Sequence, residues 1–344
     1  MVDNGGPSCY PDPEMPESTH DPISERLVLG VDLGGTKIRT ALLDDGGGIV
    51  ADDYRQTLAQ EGPDAVIGRI LDAARQVLDR AGVGRERVRA VGIGSPGPLD
   101  VRTGEVISPP NLPGWDRVPL RQRVADGLGL DVFLENDANV AALAEHRFGA
   151  GQGTDHMLYV VVGTGVGGGL ILGGQLYHGV GGMAGEIGHT VLLPDGPLCG
   201  CGNRGCLEAL ASGTAVAREA RLRVESGKET LMTELAEGDP TRITARLVAQ
   251  AAEQGDAEAR DVLAWTMGYL GLGLANMVNL FNPEVIVIGG GLANMGDLLF
   301  GPVRRAIDRH AFPVSAGMVR VVPAALGNDA GVLGAAALAQ VMGG

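Results

Sequence analysis

The sequence predicts a mixed α/β protein built as two similar lobes with a cleft between them. Three observations predict this. First, "RLVLGVDLGGTKIRTALLDDGGGIVA" (26–51) and "HMLYVVVGTGVGGGLILGGQLYHG" (156–179) share one pattern of apolar strand, Gly turn, strand, Gly turn, strand. Second, each copy is followed by helical stretches and further buried strands. Third, the spacing between the copies is far too long for a solenoid, and 344 residues suit one large or two medium domains.

In chain order, "LVLGVD" (27–32), "IRTALLD" (38–44) and "IVADDY" (49–54) read as three antiparallel strands joined by tight turns. Ile67, Ile70, Leu71, Ala74, Val77, Leu78 and Ala81 then recur at helical spacing. "VRAVGIG" (88–94) is a strand, "LRQRVADGLG" (120–129) a helix, and "DVFLEND" (131–137) a strand reaching a polar tip. Asp137 opens an Ala-rich helix that runs to about Arg147. After the second copy, helices are predicted over 208–222, 240–253 and 256–280. "EVIVIGGG" (284–291) and "MVRVVPAAL" (318–326) are strands, and "NDAGVLGAAALAQVM" (328–342) is a closing helix.

These elements divide the chain into a disordered tail over 1–25, a small lobe over 26–137 and a large lobe over 138–327. The helix 328–342 is expected to pack back on the small lobe. The tail is rich in Pro, Asp, Glu and Ser and lacks the basic-then-apolar order of a secretory signal. No apolar run approaches the roughly 20 residues a membrane helix needs. The formal charge of -15 opposes a phosphate backbone, so no nucleic-acid partner is expected. Three of the four cysteines cluster, which points to a metal site in a reducing cytoplasm rather than a disulfide framework. The helical region 240–280 offers surface for a homodimer or homotetramer.

Three features carry chemistry. "DLGGTK" (32–37) offers backbone N–H groups to a phosphate because its glycines remove the Cβ barrier. It lacks Walker spacing and also reads as a plain hairpin turn. The second turn at 163–169 and "IGGG" (288–291) shift the reading toward a nucleotide. Next, "LENDAN" (134–139) puts Asp137 between a strand end and a helix start. Asp there is a good N-cap or the general base that phosphoryl transfer to an alcohol requires, with Glu135 and Asn136 as rivals. Finally, His189, Cys199, Cys201 and Cys206 supply the four N/S ligands of a closed, structural zinc site. Glu186 and Glu208 bracket it and read either as solvated surface carboxylates or as acceptors for the hydroxyls of a polyol.

With "GIGSPGPLD" (92–100), "PPNLPGW" (109–115), "GEIGH" (185–189), "CGCGNRGCLEALASG" (199–213) and "GNDAGVLGAA" (327–336), these motifs resemble the ROK family over about residues 27–342. The resemblance implies a two-lobed actin-like and hexokinase-like ATPase fold built from ribonuclease H-like repeats. It implies an ATP- and Mg²⁺-dependent sugar kinase with a structural Zn²⁺. Asp137 would take the proton from a sugar 6-hydroxyl. Asn111, Asn136, Glu186, His189 and Glu208 would hold sugar hydroxyls, and the Ser95-Pro96-Gly97 turn would line the same pocket. Asp32, Gly34, Gly35, Thr36 and Lys37 would form the first phosphate loop, with Asp32 near the magnesium. Gly163, Thr164 and Gly165 would form the second, and Gly289, Gly290 and Gly291 would face the adenosine. His189 would present one ring nitrogen to zinc and the other to the sugar.

The family also contains sugar-responsive regulators with a helix-turn-helix ahead of the first phosphate loop. Only 31 residues precede Asp32 and "DLGGTK" is intact, so the kinase reading is preferred. The motifs are most similar to those of glucokinases. N-acetylglucosamine, N-acetylmannosamine and fructose stay open as substrates, and polyphosphate stays open as donor. Loss of zinc is expected to weaken sugar binding while leaving the phosphate turns intact.

Overall fold

The computed structural model describes residues 27–343. The tail assigned to 1–25, and Cys9 within it, lie outside the described residues.

The first sheet begins with β1 (Leu27–Leu33), β2 (Lys37–Leu43) and β3 (Ile49–Gln56). They pair antiparallel, with Asp32 opposite Arg39 and Lys37 opposite Gln56. β1 is apolar and almost wholly buried, as a strand covered on both faces should be. α1 (Gly62–Ala81) follows and buries Val66, Ile67, Ile70, Ala74 and Val77 on one face. β4 (Val88–Ser95) then returns parallel to β1. A small hairpin of β5 (Leu99–Asp100) and β6 (Glu105–Val106) precedes α2 (Leu120–Leu128). β7 (Val132–Asn136) closes the sheet parallel to β4, giving the order β3-β2-β1-β4-β7.

α3 (Asp137–Phe148) leads to the second sheet. β8 (Met157–Val162), β9 (Val166–Leu172) and β10 (Gln175–Leu176) pair antiparallel. A helical layer follows: α4 (Leu207–Ala211), α5 (Gly213–Glu225), α6 (Leu231–Leu235), α7 (Ala245–Glu253) and α8 (Ala257–Phe281). β11 (Val285–Gly289) runs parallel to β8. After α9 (Asp297–His310) and α10 (Pro313–Met318), β12 (Arg320–Pro323) pairs parallel with β11. The order β10-β9-β8-β11-β12 reproduces the first sheet strand for strand. The duplicated sequence pattern is therefore a duplicated topology, the two-lobed arrangement of ribonuclease H-like repeats.

The chain ends in α11 (Ala330–Met342), which packs on β1 and β4 of the first sheet and on α3. α3 in turn packs on β8 and β9 of the second sheet. The two helices and the facing sheet surfaces share one core that includes Val28, Ala90, Val140, Tyr159, Val287 and Ala336. Glycines allow the approach. A Cβ on Gly92 would stand 1.8 Å from the Ala335 carbonyl oxygen, and one on Gly334 would stand 1.7 Å from that of Val140.

Several sequence-based boundaries shift. The helix expected over 208–222 is two helices broken at Ser212, whose hydroxyl caps α5 by accepting from the Ala215 amide. The helix expected from 240 starts at Ala245, where Thr244 caps it. The strand expected over 318–326 is limited to Arg320–Pro323. α6, α9 and α10 are additional. In the region expected to self-associate, α8 is enclosed by α4, α5, α7 and α9. Its exposed Leu280, with Phe312, Val314 and Met318 on and beside α10, is the apolar surface that this region leaves to solvent. No helix among the described residues is long and apolar enough to cross a membrane.

Candidate active site

The duplicated sheets present their carboxyl-terminal strand ends to one cleft of about 960 Å³. Asn136 and Asp137 lie at its floor, where β7 passes into α3. Asn136, not Asp137, is the N-cap: its Oδ1 accepts from the Ala138 amide at 2.9 Å. Asp137 is the first helical residue and its Oδ1 accepts from the same amide at 2.8 Å. Its carboxylate meets solvent through the cleft, yet the surrounding walls displace most of the bulk water. That burial raises its pKa above the ordinary carboxylate value; the Ala138 amide opposes the rise and the Glu186 charge adds to it. A carboxylate made more basic in this way is better suited to accept a proton near neutral pH.

The rival carboxylate, Glu135, is committed elsewhere. It is 1% exposed and accepts from the Asn136 amide at 2.8 Å, from Asn139 Nδ2 at 2.9 Å and from His178 Nε2 at 2.6 Å. Sequence spacing did not point to His178. The signal available was a buried Glu with no neighbouring Lys or Arg in sequence.

The wall opposite Asp137 contains Glu186, His189 and Glu208, and the near wall contains Asn111. Ser95 is fully buried and its hydroxyl donates to the Pro96 carbonyl, so the turn reaches the cleft through Pro96 and Gly97 instead. His189 Nδ1 faces the Cys199 sulfur at 3.7 Å, and the Cys201 and Cys206 sulfurs are 3.7 Å apart. All four ligand atoms lie within 4.8 Å of one another. A tetrahedral zinc with bonds of about 2.3 Å needs sulfurs about 3.7 Å apart, so these residues fit the ion. Their acid–base character agrees. Burial pushes the Cys206 thiol up to about 12, and hydrogen bonds with Cys201 and Cys199 push the same way; a cation is what lets such thiols ionise together. With Nδ1 on the metal side, Nε2 of His189 is left for the cleft.

The second Gly turn, Gly163–Gly165, also lines the cleft. Gly163 N–H donates to the Gly165 carbonyl at 2.9 Å. The turn is held from outside by the Gly213 amide on the Gly163 carbonyl, at 2.8 Å, and by the Thr214 hydroxyl on the Thr164 carbonyl, at 2.9 Å. The first turn, Gly34–Lys37, is a closed hairpin, with the Gly34 amide on the Lys37 carbonyl at 2.8 Å. A Cβ on Gly35 would stand 2.7 Å from Asn111 Cβ, so this turn abuts the near wall. The Lys37 ammonium sits 5.2 Å from the Tyr54 ring centroid.

Asp32, at the end of β1, has its pKa raised to about 6 by burial and then by Asp137, with Arg39 opposing. A Cβ on Gly331 would stand 2.5 Å from its carboxylate, so a glycine in the first turn of α11 leaves that space. A buried carboxylate with a second acidic group near enough to raise its pKa suits a divalent cation. Gly289 ends β11, and Gly290 adopts φ 86 with room for a Cβ closed by the Val162 carbonyl at 2.5 Å. Gly291 opens the short 3-10 turn to Met295. These glycines lie beside the end of β8, just before the second turn.

Relatives carry the same organisation. The glucokinase of Thermotoga maritima is 42% identical over 311 residues, which cover 90% of this chain and 96% of that protein. The ROK hexokinase of Thermus thermophilus superposes with a TM-score of 0.78 at 39% identity, covering 92% of this chain and 98% of that one. A ROK family glucokinase from Streptomyces griseus, solved with glucose and AMPPNP, superposes with a TM-score of 0.75 at 38% identity, covering 92% and 99%. The ROK family model matches residues 28–342, which take in both sheets, both Gly turns and the Cys/His cluster. A duplicated α/β topology, an acid-floored cleft and a match over nearly every described residue lead to one assignment: this chain belongs to the ROK family.

Proposed function

We propose that this chain transfers the terminal phosphoryl group of ATP to the 6-hydroxyl of glucose, with Asp137 as the catalytic base. The observation that carries this reading is the position of Asp137. It stands at a helix start on the floor of the cleft, between the wall of Glu186, His189 and Glu208 and the Gly163–Gly165 turn. The Streptomyces griseus relative solved with glucose and AMPPNP supports a sugar and a nucleotide as the two substrates.

Asn111, Asn136, Glu186, His189 and Glu208 accept from and donate to the sugar hydroxyls and orient O6 toward Asp137. Asp137 takes the O6 proton while the O6–Pγ bond forms and the bond from Pγ to the bridging oxygen breaks, releasing ADP. Backbone amides of the Gly163–Gly165 turn carry charge that develops on the phosphates. Asp32 would hold the magnesium, which supplies charge neutralisation at the phosphates. His189, Cys199, Cys201 and Cys206 would close a zinc site with four protein ligands, and zinc held there would brace the sugar wall. Closure of the lobes over the sugar excludes water as a competing acceptor.

A coupled ATP assay over glucose, mannose, fructose and the N-acetylhexosamines tests this. Glucose should give the highest kcat/KM. Asp137→Asn should lower kcat by about 10²–10⁴-fold and leave sugar affinity nearly unchanged. Undiminished turnover by the variant would remove Asp137 from the base role, and a wild type that phosphorylates no hexose would overturn the kinase reading.

A further inference from the structure

The loop between β10 and the first metal ligand has little structure of its own. Residues 179–185 read GVGGMAG, with positive φ at Gly179, Gly182 and Gly185. Val180 stands fully in solvent and Met183 is half exposed. Yet this loop delivers Glu186 and His189 to the cleft. A glycine-rich segment loses much conformational freedom when it is ordered, and Glu186 also faces a like charge. The Glu186 carboxylate is close enough to Asp137 to make Asp137 harder to ionise. Before a sugar lies between them, this like charge favours drift of the loop away from Asp137.

One strong contact opposes that drift. His178, directly before the glycines, donates from Nε2 to Glu135 Oε2 at 2.6 Å. Glu135 is 1% exposed, and among the described residues no Lys or Arg pairs with it. Its other oxygen accepts from the Asn136 amide and from Asn139 Nδ2. The carboxylate therefore gathers the residue before Asp137, the first turn of α3 and the root of the sugar loop. The His178 carbonyl then accepts from the Ala184 amide at 3.2 Å, which closes the loop into a ring two residues before Glu186. The contact raises the His178 pKa, as expected for an imidazole that gains a buried anionic partner.

We propose that His178 and Glu135 are a positioning pair that pins the Glu186-bearing loop to the Asp137-bearing turn and so sets the spacing between sugar wall and base. This rests on the kinase reading above. Neither residue touches the substrate; both act through Glu186 and Asp137.

The test compares wild type, His178→Ala and His178→Gln in the full chain. A glutamine amide reaches the same oxygen as Nε2, so it should restore the pin. Charge-assisted hydrogen bonds to a buried partner support an effect of about tenfold or more. His178→Ala should raise glucose KM about tenfold and lower kcat, with ATP KM within about twofold, and His178→Gln should recover most of the loss. Hydrogen exchange adds a readout that needs no turnover: amides of 179–187 should exchange faster in His178→Ala, while those of β1 and β11 stay as in wild type. A glucose KM within twofold of wild type in His178→Ala, or equal impairment of the two variants, would overturn the proposal. So would unchanged exchange over 179–187. If wild type phosphorylates no hexose, the kinase reading fails, and exchange alone still decides whether the pin exists.

Discussion

Glu208 accepts a hydrogen bond from the Val166 amide at 3.0 Å, and the Cys199 sulfur lies 3.6 Å from its other carboxylate oxygen. The residue thus joins the Cys/His cluster to the strand that leaves the second Gly turn. A Cβ on Gly165 would stand 2.3 Å from the Glu208 carboxylate, so turn and carboxylate are fitted to one another. Seven and eight residues beyond Cys206, Gly213 and Thr214 bond to the carbonyls of that same turn. From sequence the phosphate turns stand apart from the metal. In the fold, the last metal ligand leads directly into the clamp.

Metal loss is therefore expected to reach the nucleotide side as well as the sugar side. Cys206→Ser should lower bound zinc, measured by elemental analysis, and raise KM for both glucose and ATP by about tenfold. A rise in glucose KM with an unchanged ATP KM would show that the clamp on Gly163–Gly165 stands without the metal.

The packing of α11 gives a prediction in which two effects oppose each other. Gly334 lies inside a helix, where alanine is intrinsically favoured by about 1 kcal/mol. Its missing Cβ, however, is where the Val140 carbonyl sits, 1.7 Å from the position the atom would take. Overpacking of this kind costs about 1–3 kcal/mol or more, and here the obstacle is backbone that cannot rotate away. Gly334→Ala should destabilise the fold by about 2 kcal/mol net. Gly92→Ala, against the Ala335 carbonyl at 1.8 Å, has no helix gain to offset its clash and should cost more. Urea midpoints of the two variants check both the sign and the order.

What was legible in the sequence follows from where local pattern and tertiary role agree. β1, β2 and β3 are readable because apolar runs end in Gly turns, and the repeat in β8, β9 and β10 is readable for the same reason. The Cys/His cluster is readable because its four ligands fall within eighteen positions of one another. α9 is not, since Pro302 lies inside it and interrupts the period of Leu299, Phe300, Val303 and Ile307. The break at Ser212 escapes because the flanking residues suit a helix on both sides. Only the cap bond from Ala215 and the pull of Gly213 on the second turn separate α4 from α5. Lys37 reads as a phosphate ligand from "DLGGTK", but cross-strand geometry brings Tyr54 under its charge. The His178–Glu135 pair joins positions 43 apart and leaves no local trace.

Glu145 is a buried carboxylate on α3, at the end opposite Asp137. It is 0% exposed and accepts from the amides of Ala150 at 2.8 Å, Ala325 at 3.1 Å and Leu326 at 2.9 Å. Among the described residues no Lys or Arg pairs with it, so three amides alone hold the charge. Ala325 and Leu326 enter the segment that carries Asp329, the ion-pair partner of Arg39, and Gly331, the residue against Asp32. Glu145 therefore ties the helix that starts at Asp137 to the chain that packs against Asp32. Glu145→Ala leaves three amides without a partner, each worth about 1–3 kcal/mol when buried, and should destabilise by about 3 kcal/mol or more. Glu145→Gln keeps one acceptor oxygen but turns an NH₂ toward an amide, so it should fall between wild type and alanine. The order wild type, Gln, Ala in urea midpoint checks this account. An alanine variant within about 1 kcal/mol of wild type would mean that water satisfies the three amides, and that the link between the two helices does not run through Glu145.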